Sequence, residues 1–450
     1  MNRLYFGDCL EVMREDISSE SVDLIYLDPP FNSKRLYNAF IGGAQWVAFG
    51  DTWSWADAIG DFEEVAGDVK LANVMEGMRC IHSEGSTLAY LSYMANRLRE
   101  CHRVLKNTGS IYLHCDPTMS HSLKLVMDAI FGEKNFRNEI IWHYHMGTAP
   151  KKDFRRKHDV ILRYSKSNAY NGINITVPRR MDVSRYNKVD ENGRRYHENG
   201  AGNRFYHDEG KKPDDVWTYC ENKKFTQLNS MAKERIGYPT QKPLALLDRI
   251  VRASSNKEDI VFDPFCGCGT TIEAAENLQR YWIGIDICVN ACKVIEERIK
   301  SSFRDKWADV EFIGLPKTRD DAQELANMDK FRFERWAASL VDGLEANKRQ
   351  TGDRGIDGRG RIPIRKGQFI DIVSQVKGGG TGPGDIQAFN GARQEANADL
   401  GVFTCFEDRV TQRMRDAAVN TGRFLDTPII QIYTVEDYFE NRRPQMPKIP

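Results

Sequence analysis

The 450-residue chain has no excess of charge of either sign: Lys plus Arg and Asp plus Glu each total 64. Neutrality removes the simplest argument for a polyanionic partner, yet local segregation can still build a basic face. Long apolar runs are also missing. No window approaches a membrane span, and the start Met1-Asn2-Arg3-Leu4-Tyr5 lacks the stretch of a signal peptide. Ten cysteines are scattered without a disulfide framework, so the expected setting is reducing and cytoplasmic, with no membrane partner. The pairs Cys80/His82, Cys101/His102 and His114/Cys115 lack the spacing of a closed zinc site and read as buried thiols and imidazoles.

What is present is a long alternation of apolar, β-rich runs with helical patterns over about two-thirds of the chain, which predicts an α/β domain on a parallel sheet. Expected strands are 22–27, 110–115, 139–143, 159–164, 259–262 and 281–285; expected helices are 90–105, 121–131, 243–253, 270–278 and 290–301. Between 172 and 236 the periodicity fades, and basic residues interleave with aromatics, as in Arg179-Arg180, Arg185-Tyr186, Arg194-Arg195-Tyr196, Arg204-Phe205-Tyr206 and Lys223-Lys224-Phe225. That pattern suits phosphate contact and base stacking, and equally suits a solvated insertion. A charged linker at 303–330 separates a first domain, 1–302, from a second at 331–440, with a proline-containing tail at 441–450.

Two strand ends carry the chemistry. Asp28-Pro29-Pro30-Phe31 closes the run Val22–Leu27, and prolines at the mouth of a central strand delete backbone donors that a sheet would otherwise use. An acid, a proline carbonyl and an aromatic ring there form a shelf for a planar amine. Asp28 and the Pro29 carbonyl accept the amine protons, and Phe31 stacks on the ring. Downstream, Phe262-Asp263-Pro264-Phe265-Cys266-Gly267-Cys268-Gly269-Thr270 forms a glycine-rich strand-to-helix turn open to a nucleotide-like ligand, in which Thr270-Thr271 can cap the helix. Asp286 ends the next apolar strand, where an acid suits two vicinal ribose hydroxyls.

With Gly7-Asp8-Cys9-Leu10, Gly109–His114 and Tyr238-Pro239-Thr240-Gln241-Lys242-Pro243, these motifs resemble the β-class DNA amino-methyltransferases. The resemblance covers about residues 1–302. It implies a circularly permuted, Rossmann-like class I methyltransferase sheet in which the amine motif precedes the cofactor loop and 172–236 recognises the target. It further implies S-adenosylmethionine as cofactor, with Asp8 at its adenine, Asp286 at its ribose and Thr240 and Lys242 at its methionine end. The implied partner is double-stranded DNA with the target base flipped out, and a homodimer is a common assembly in the class. Asp at the first motif position is more typical of adenine-N6 than of cytosine-N4 methylation, but local chemistry leaves both open. Carbon-5 methylation needs a cysteine nucleophile beside proline, and no Pro-Cys dipeptide occurs. Protein-glutamine methyltransferases share the shelf but typically begin it with Asn and carry the loop upstream.

In the second domain Gly352–Gly358 precedes a β-like run, Phe369–Lys377, in which Gln375 and Lys377 share a strand face. This resembles restriction endonucleases of the PD-(D/E)XK fold, nearest the Mrr-like branch. The resemblance implies Mg2+ on Asp357 and Gln375, Lys377 as the group orienting water, and Glu334 as an additional acid. Asp371, on the same face, is a substitute carboxylate for the neutral Gln375. Either this domain cuts DNA, completing a restriction-modification enzyme, or it only binds DNA. The glycines of 378–384 are expected to form a flexible connection to a helix at 385–396.

Overall fold

The computed structural model describes the chain apart from residues 1, 42–43, 145–149, 174, 178–186, 200–201, 206–211, 219–222, 226–227, 229–231, 233, 304–309, 342–343, 348–354, 366–367 and 448–450. Nine strands build the larger sheet: β1 (Asn2–Phe6), β2 (Val22–Leu27), β3 (Leu105–Cys115), β4 (Phe136–His143), β5 (His158–Ser165), β6 (Val216–Thr218), β7 (Ile260–Asp263), β8 (Tyr281–Asp286) and β9 (Val310–Ile313). Their order across the sheet is β6-β4-β5-β3-β2-β7-β8-β1-β9. The sheet is mixed, not wholly parallel: β5 runs antiparallel to both β3 and β4, and the other pairings are parallel.

Every residue of β2 is buried, as expected of a central strand covered on both faces. Its one acid, Asp23, is held by Lys106 at 2.8 Å and by the Ile260 N–H at 2.9 Å, so it staples β2 to its neighbours. Helices Ser86–Val104 and Ser120–Phe131 bury Leu91, Met94, Leu98, Leu123 and Met127 in the core on one side of the sheet. Leu246, Leu247 and Ile250 of helix Leu244–Ser254 and Ile295 of helix Val289–Ser302 belong to a second core.

Some elements carry no strong motif in sequence: the antiparallel hairpin Leu36–Ile41/Ala44–Gly50 and the helices Trp55–Val65 and Val69–His82. Cys80, expected to be buried, is exposed on the last of these. Within 172–236 the described strands Lys188–Val189, Arg195–Asn199 and Gly202–Phe205 form a small antiparallel sheet. Residues 179, 180, 185, 186 and 206 lie outside the described residues. Phe225, expected among the base-stacking aromatics, is instead core: it is 1% exposed and its carbonyl accepts the Trp142 indole N–H at 2.6 Å.

The smaller sheet, β10 (Leu344–Ala346), β11 (Gly358–Arg365), β12 (Gln368–Val376), β13 (Leu400–Cys405) and β14 (Ile430–Thr434), keeps that order in space. The first two pairings are antiparallel and the last two parallel. Helix Lys330–Ala338 leads into it, and the glycine segment ends in a helix at Pro383–Glu395, two residues earlier than expected because Pro383 suits a first helical turn. Among the described residues no helix is long and apolar enough to cross a membrane.

Candidate cofactor and amine site

Four adjacent parallel strands, β2, β7, β8 and β1, end on the same edge. Register places Phe262 opposite Ile25 and Phe6 opposite Asp286, so Asp28, Asp263, Asp286 and Asp8 follow one another along that edge although the chain separates them widely. All four line a single cavity of about 330 Å³ with Phe31, Gly267, Thr240 and Lys242. Ligands bind at such carboxyl edges of open α/β sheets.

On the cofactor side, Gly267 and Gly269 adopt φ of +50° and +76°. A Cβ at Gly269 would stand 2.8 Å from Ile295 Cγ1, and one at Gly267 would stand 3.3 Å from the Tyr238 ring. The turn therefore needs glycine for its backbone and for the room it leaves. Gly269, not threonine, caps the following helix, and no side chain caps it. Asp263 accepts the Phe265 N–H at 3.0 Å, and Thr271 beside it partly offsets the effect of burial on its carboxyl.

Asp286 accepts N–H groups from Gly267 and Cys288, both at 2.8 Å, so the acid orients the glycine turn as well as facing the cavity. Burial pushes both Asp263 and Asp286 up to about 7. Asp8 caps helix Cys9–Asp16 through the Leu10 N–H at 2.8 Å and receives Arg97 at 2.6 Å. Burial raises its carboxyl, but Arg97 and then Arg335 bring it net below its ordinary value. Thr240 has φ of +58°, rare for a β-branched residue, within a loop that Gln241 ties through the Ile236 N–H and Glu234 carbonyl.

On the amine side, Asp28 Oδ2 pairs with Lys242 Nζ, while Asp28 Oδ1 is buried without a hydrogen-bond partner. Phe31 stacks on His114, with ring centroids 6.0 Å apart and planes at 22°. His114 is fully buried between the Tyr26 hydroxyl at 2.9 Å and Asp159 at 3.2 Å. Asp51 holds the shelf from the other side, accepting the N–H groups of Phe31, Asn32 and Ser33 at 3.2, 2.7 and 2.7 Å and the Trp53 indole at 3.1 Å. Asp51, Arg97 and Arg335 carry no motif of their own, and their only signal in sequence is a polar residue among apolar neighbours, whereas His114 ends the Gly109–His114 motif.

In the second expected constellation Asp357 lies against the strand segment that carries Gln375 and Lys377, with its N–H on the Ser374 carbonyl at 2.8 Å. Asp357 Oδ2 accepts the Val376 N–H at 2.6 Å, and Glu334 lies 3.3 Å from Lys330. Gln375 Oε1 is buried and without a partner, whereas Lys377 falls one residue beyond the end of β12. Asp371 does not replace the missing carboxylate: it pairs with Arg361 at 2.6 Å and, four strand residues from Gln375, stands about 13 Å away. Among the described residues no group of three or more His, Cys, Asp or Glu is arranged to hold a metal, which leaves the expected Mg2+ on Asp357 and Gln375 without support.

Sheet order, with one antiparallel strand and a ligand edge at β2, β7, β8 and β1, defines a Rossmann-like class I methyltransferase fold. The chain belongs to the DNA methylase family, whose model matches residues 22–297. Relatives include the type II methyltransferase M.BglII of Bacillus subtilis, 27% identical over 296 residues, 64% of this chain and 66% of that one. M.HpaI of Haemophilus parainfluenzae is 32% identical over 217 residues, 48% and 60% of the two chains. The DNA adenine methyltransferase YhdJ of Escherichia coli (strain K12) is 28% identical over 285 residues, 62% and 76%. The chain thus spans 66% and 60% of the length of the first two relatives. Residues 332–439 match a different family, described as NACHT-associated inactive Restriction Endonuclease 1.

Proposed function

We propose that this protein transfers the methyl group of S-adenosylmethionine to the exocyclic N6 amine of adenine in double-stranded DNA. One observation carries the reading: the amine shelf and the glycine turn end adjacent strands and share a cavity in which Asp28 keeps a buried, unpartnered acceptor oxygen. When bound, the cofactor supplies an electrophilic sulfonium methyl. Gly267 and Thr270 line the space it takes and Gly269 shapes the turn, while Phe262, Asp263, Pro264 and Phe265 form the strand end beneath. Asp286 receives the ribose hydroxyls, Asp8 faces the adenine, and Thr240 and Lys242 hold the methionine end. Asp28 and the Pro29 carbonyl accept the amine protons of a flipped base, turning its lone pair out of the ring, while Pro30 fixes the shelf and Phe31 stacks on the base.

The C-terminal unit grips DNA without cutting it in this reading. The side-chain engagement of Asp357 and the membership of residues 332–439 in a family described as inactive favour that role. Incubation with unmethylated duplex DNA and S-adenosylmethionine, with and without Mg2+, followed by nucleoside mass spectrometry and a gel, tests both parts. N6-methyladenine on intact DNA is the expected result. N4-methylcytosine would change the base and keep the mechanism, and Mg2+-dependent cutting that Lys377→Ala abolishes would restore the nuclease.

A further inference from the structure

The cavity is not closed by the methyltransferase fold alone. Arg335, Ser339, Ala346 and Asn347, all from the C-terminal unit, line it together with Asp28 and Asp286. Helix Lys330–Ala338 buries Phe333, Trp336 and Ala337, and turns Arg332 and Arg335 toward helix Cys9–Asp16. There Arg335 meets Glu11 in a two-nitrogen pair at 3.0 and 3.4 Å, and Arg332 pairs with Glu15. The Arg335 side chain is only 10% exposed while Glu11 is 42% exposed, so the pair sits at the edge of the interior with the guanidinium on its buried side.

Its position matters because Asp8 is the N-cap of that same helix. The rest of the wall is anchored as well. Asn347 donates its backbone N–H to the Asp357 carbonyl at 2.8 Å and its side-chain amide to the Ile356 carbonyl. The loop that carries Asp357 therefore fixes a wall of the cavity. One apolar core includes Leu4 and Ile250 of the first unit and Phe333, Trp336 and Ile372 of the second, so the two halves are packed together behind the wall.

We propose that the C-terminal unit is an integral wall of the S-adenosylmethionine pocket, with Arg335 as the positioning residue that holds Asp8 and its helix at the adenine end of the cofactor. This rests on the reading of the cavity as the cofactor site. It gives a catalytically silent nuclease fold a use that needs neither metal nor cleavage: cofactor affinity depends on its docking.

Calorimetric titration of the full chain with S-adenosylmethionine tests the idea. Arg335→Ala, which leaves Glu11 without its guanidinium and loosens Asp8, should raise the dissociation constant about tenfold or more, the scale of a lost charge-assisted hydrogen bond. Arg335→Lys should recover part of the loss, because it keeps the charge without the fork. At saturating cofactor kcat should stay near wild type, so the defect appears in KM for S-adenosylmethionine. Exposed Arg361, paired with Asp371 away from the cavity, serves as the control, and Arg361→Ala should change nothing. Hydrogen exchange on the wild type needs no variant: the cofactor should slow exchange in helix Lys330–Ala338 and strand Leu344–Ala346. A folded Arg335→Ala protein binding within twofold of wild type, or unchanged wild-type exchange in those two elements, would overturn the inference while leaving the proposed activity standing. A wild-type chain that does not bind S-adenosylmethionine at all would overturn both.

Discussion

Replacing Asp28 by alanine separates the two roles that its carboxylate holds. Oδ1 is the buried, unpartnered acceptor offered to an amine proton, and its loss should lower kcat by about 10²–10³-fold, the effect of removing one preorganised hydrogen-bonding group at a reacting centre. Oδ2 neutralises Lys242, and the two side chains are 17% and 9% exposed. Breaking such a pair costs between about 1 kcal/mol for an exposed pair and about 3–5 kcal/mol for a sealed one. The cavity beside it places this case between those limits.

The freed Lys242 ammonium then meets the cofactor's own carboxylate. Asp28→Ala should therefore bind S-adenosylmethionine as tightly as wild type or tighter, and the cofactor should raise its Tm by more than it raises the wild-type Tm. Methyl transfer from labelled cofactor to duplex DNA, calorimetry and thermal melts read the three quantities. Turnover within tenfold of wild type would remove Asp28 as the amine acceptor, and a dissociation constant ten times weaker would refute the role given to Lys242.

Five further outcomes are expected. Burial raises Asp263 and Asp286 from 3.8 to about 7, so the folded protein holds these protons more tightly than the unfolded chain; this contribution to stability is full below about 3.8 and is lost as pH rises to about 7. Cofactor binding runs the other way, since ribose hydroxyls need a charged acceptor: affinity should rise with pH through about 7, and an Asp286→Asn variant with the same pH slope as wild type would refute the ribose role. Asp51→Ala removes the acceptor that three shelf N–H groups and the Trp53 indole share, so kcat should fall about 10²-fold through misplacement of Phe31, with cofactor affinity unchanged; a normal kcat would show that the shelf holds itself. Gly269→Ala should cost about 1–3 kcal/mol, seen as a lower Tm, because φ is +76° and the new methyl meets Ile295 at 2.8 Å. Lys377→Ala should leave methylation rates intact, and loss of methylation would give Lys377 a part in DNA grip.

Legibility followed the range of the interactions. Strand β2 and its shelf were readable because a fully buried parallel strand is a continuous apolar run, and because two prolines at its mouth have little structural use. The glycine turn and Asp286 were readable from spacing alone, since one backbone turn fixes both. The antiparallel course of β5 was not, because an apolar run carries no sign of its direction, and neither was the hairpin at 36–50, whose residues alternate weakly. Thr270 and Thr271 show how a correct residue type misleads: threonine after glycines suggests a cap, but Gly269 holds the cap position and no side chain caps the helix.

Asp51 and Arg335 were invisible for a deeper reason. Each acts on a motif residue far away in the chain, Asp51 on Phe31 and Arg335 on the helix that Asp8 begins, and nothing local distinguishes either from a surface charge. A motif names the groups that touch a ligand, whereas the groups that hold them in place follow from packing. In this chain the proposed wall adds such holding from the C-terminal unit, where the loop that carries Asp357 fixes Asn347 through the Asp357 and Ile356 carbonyls. Such a wall would require the fold of that loop and no metal, so it is compatible with the description of the family that residues 332–439 match as inactive.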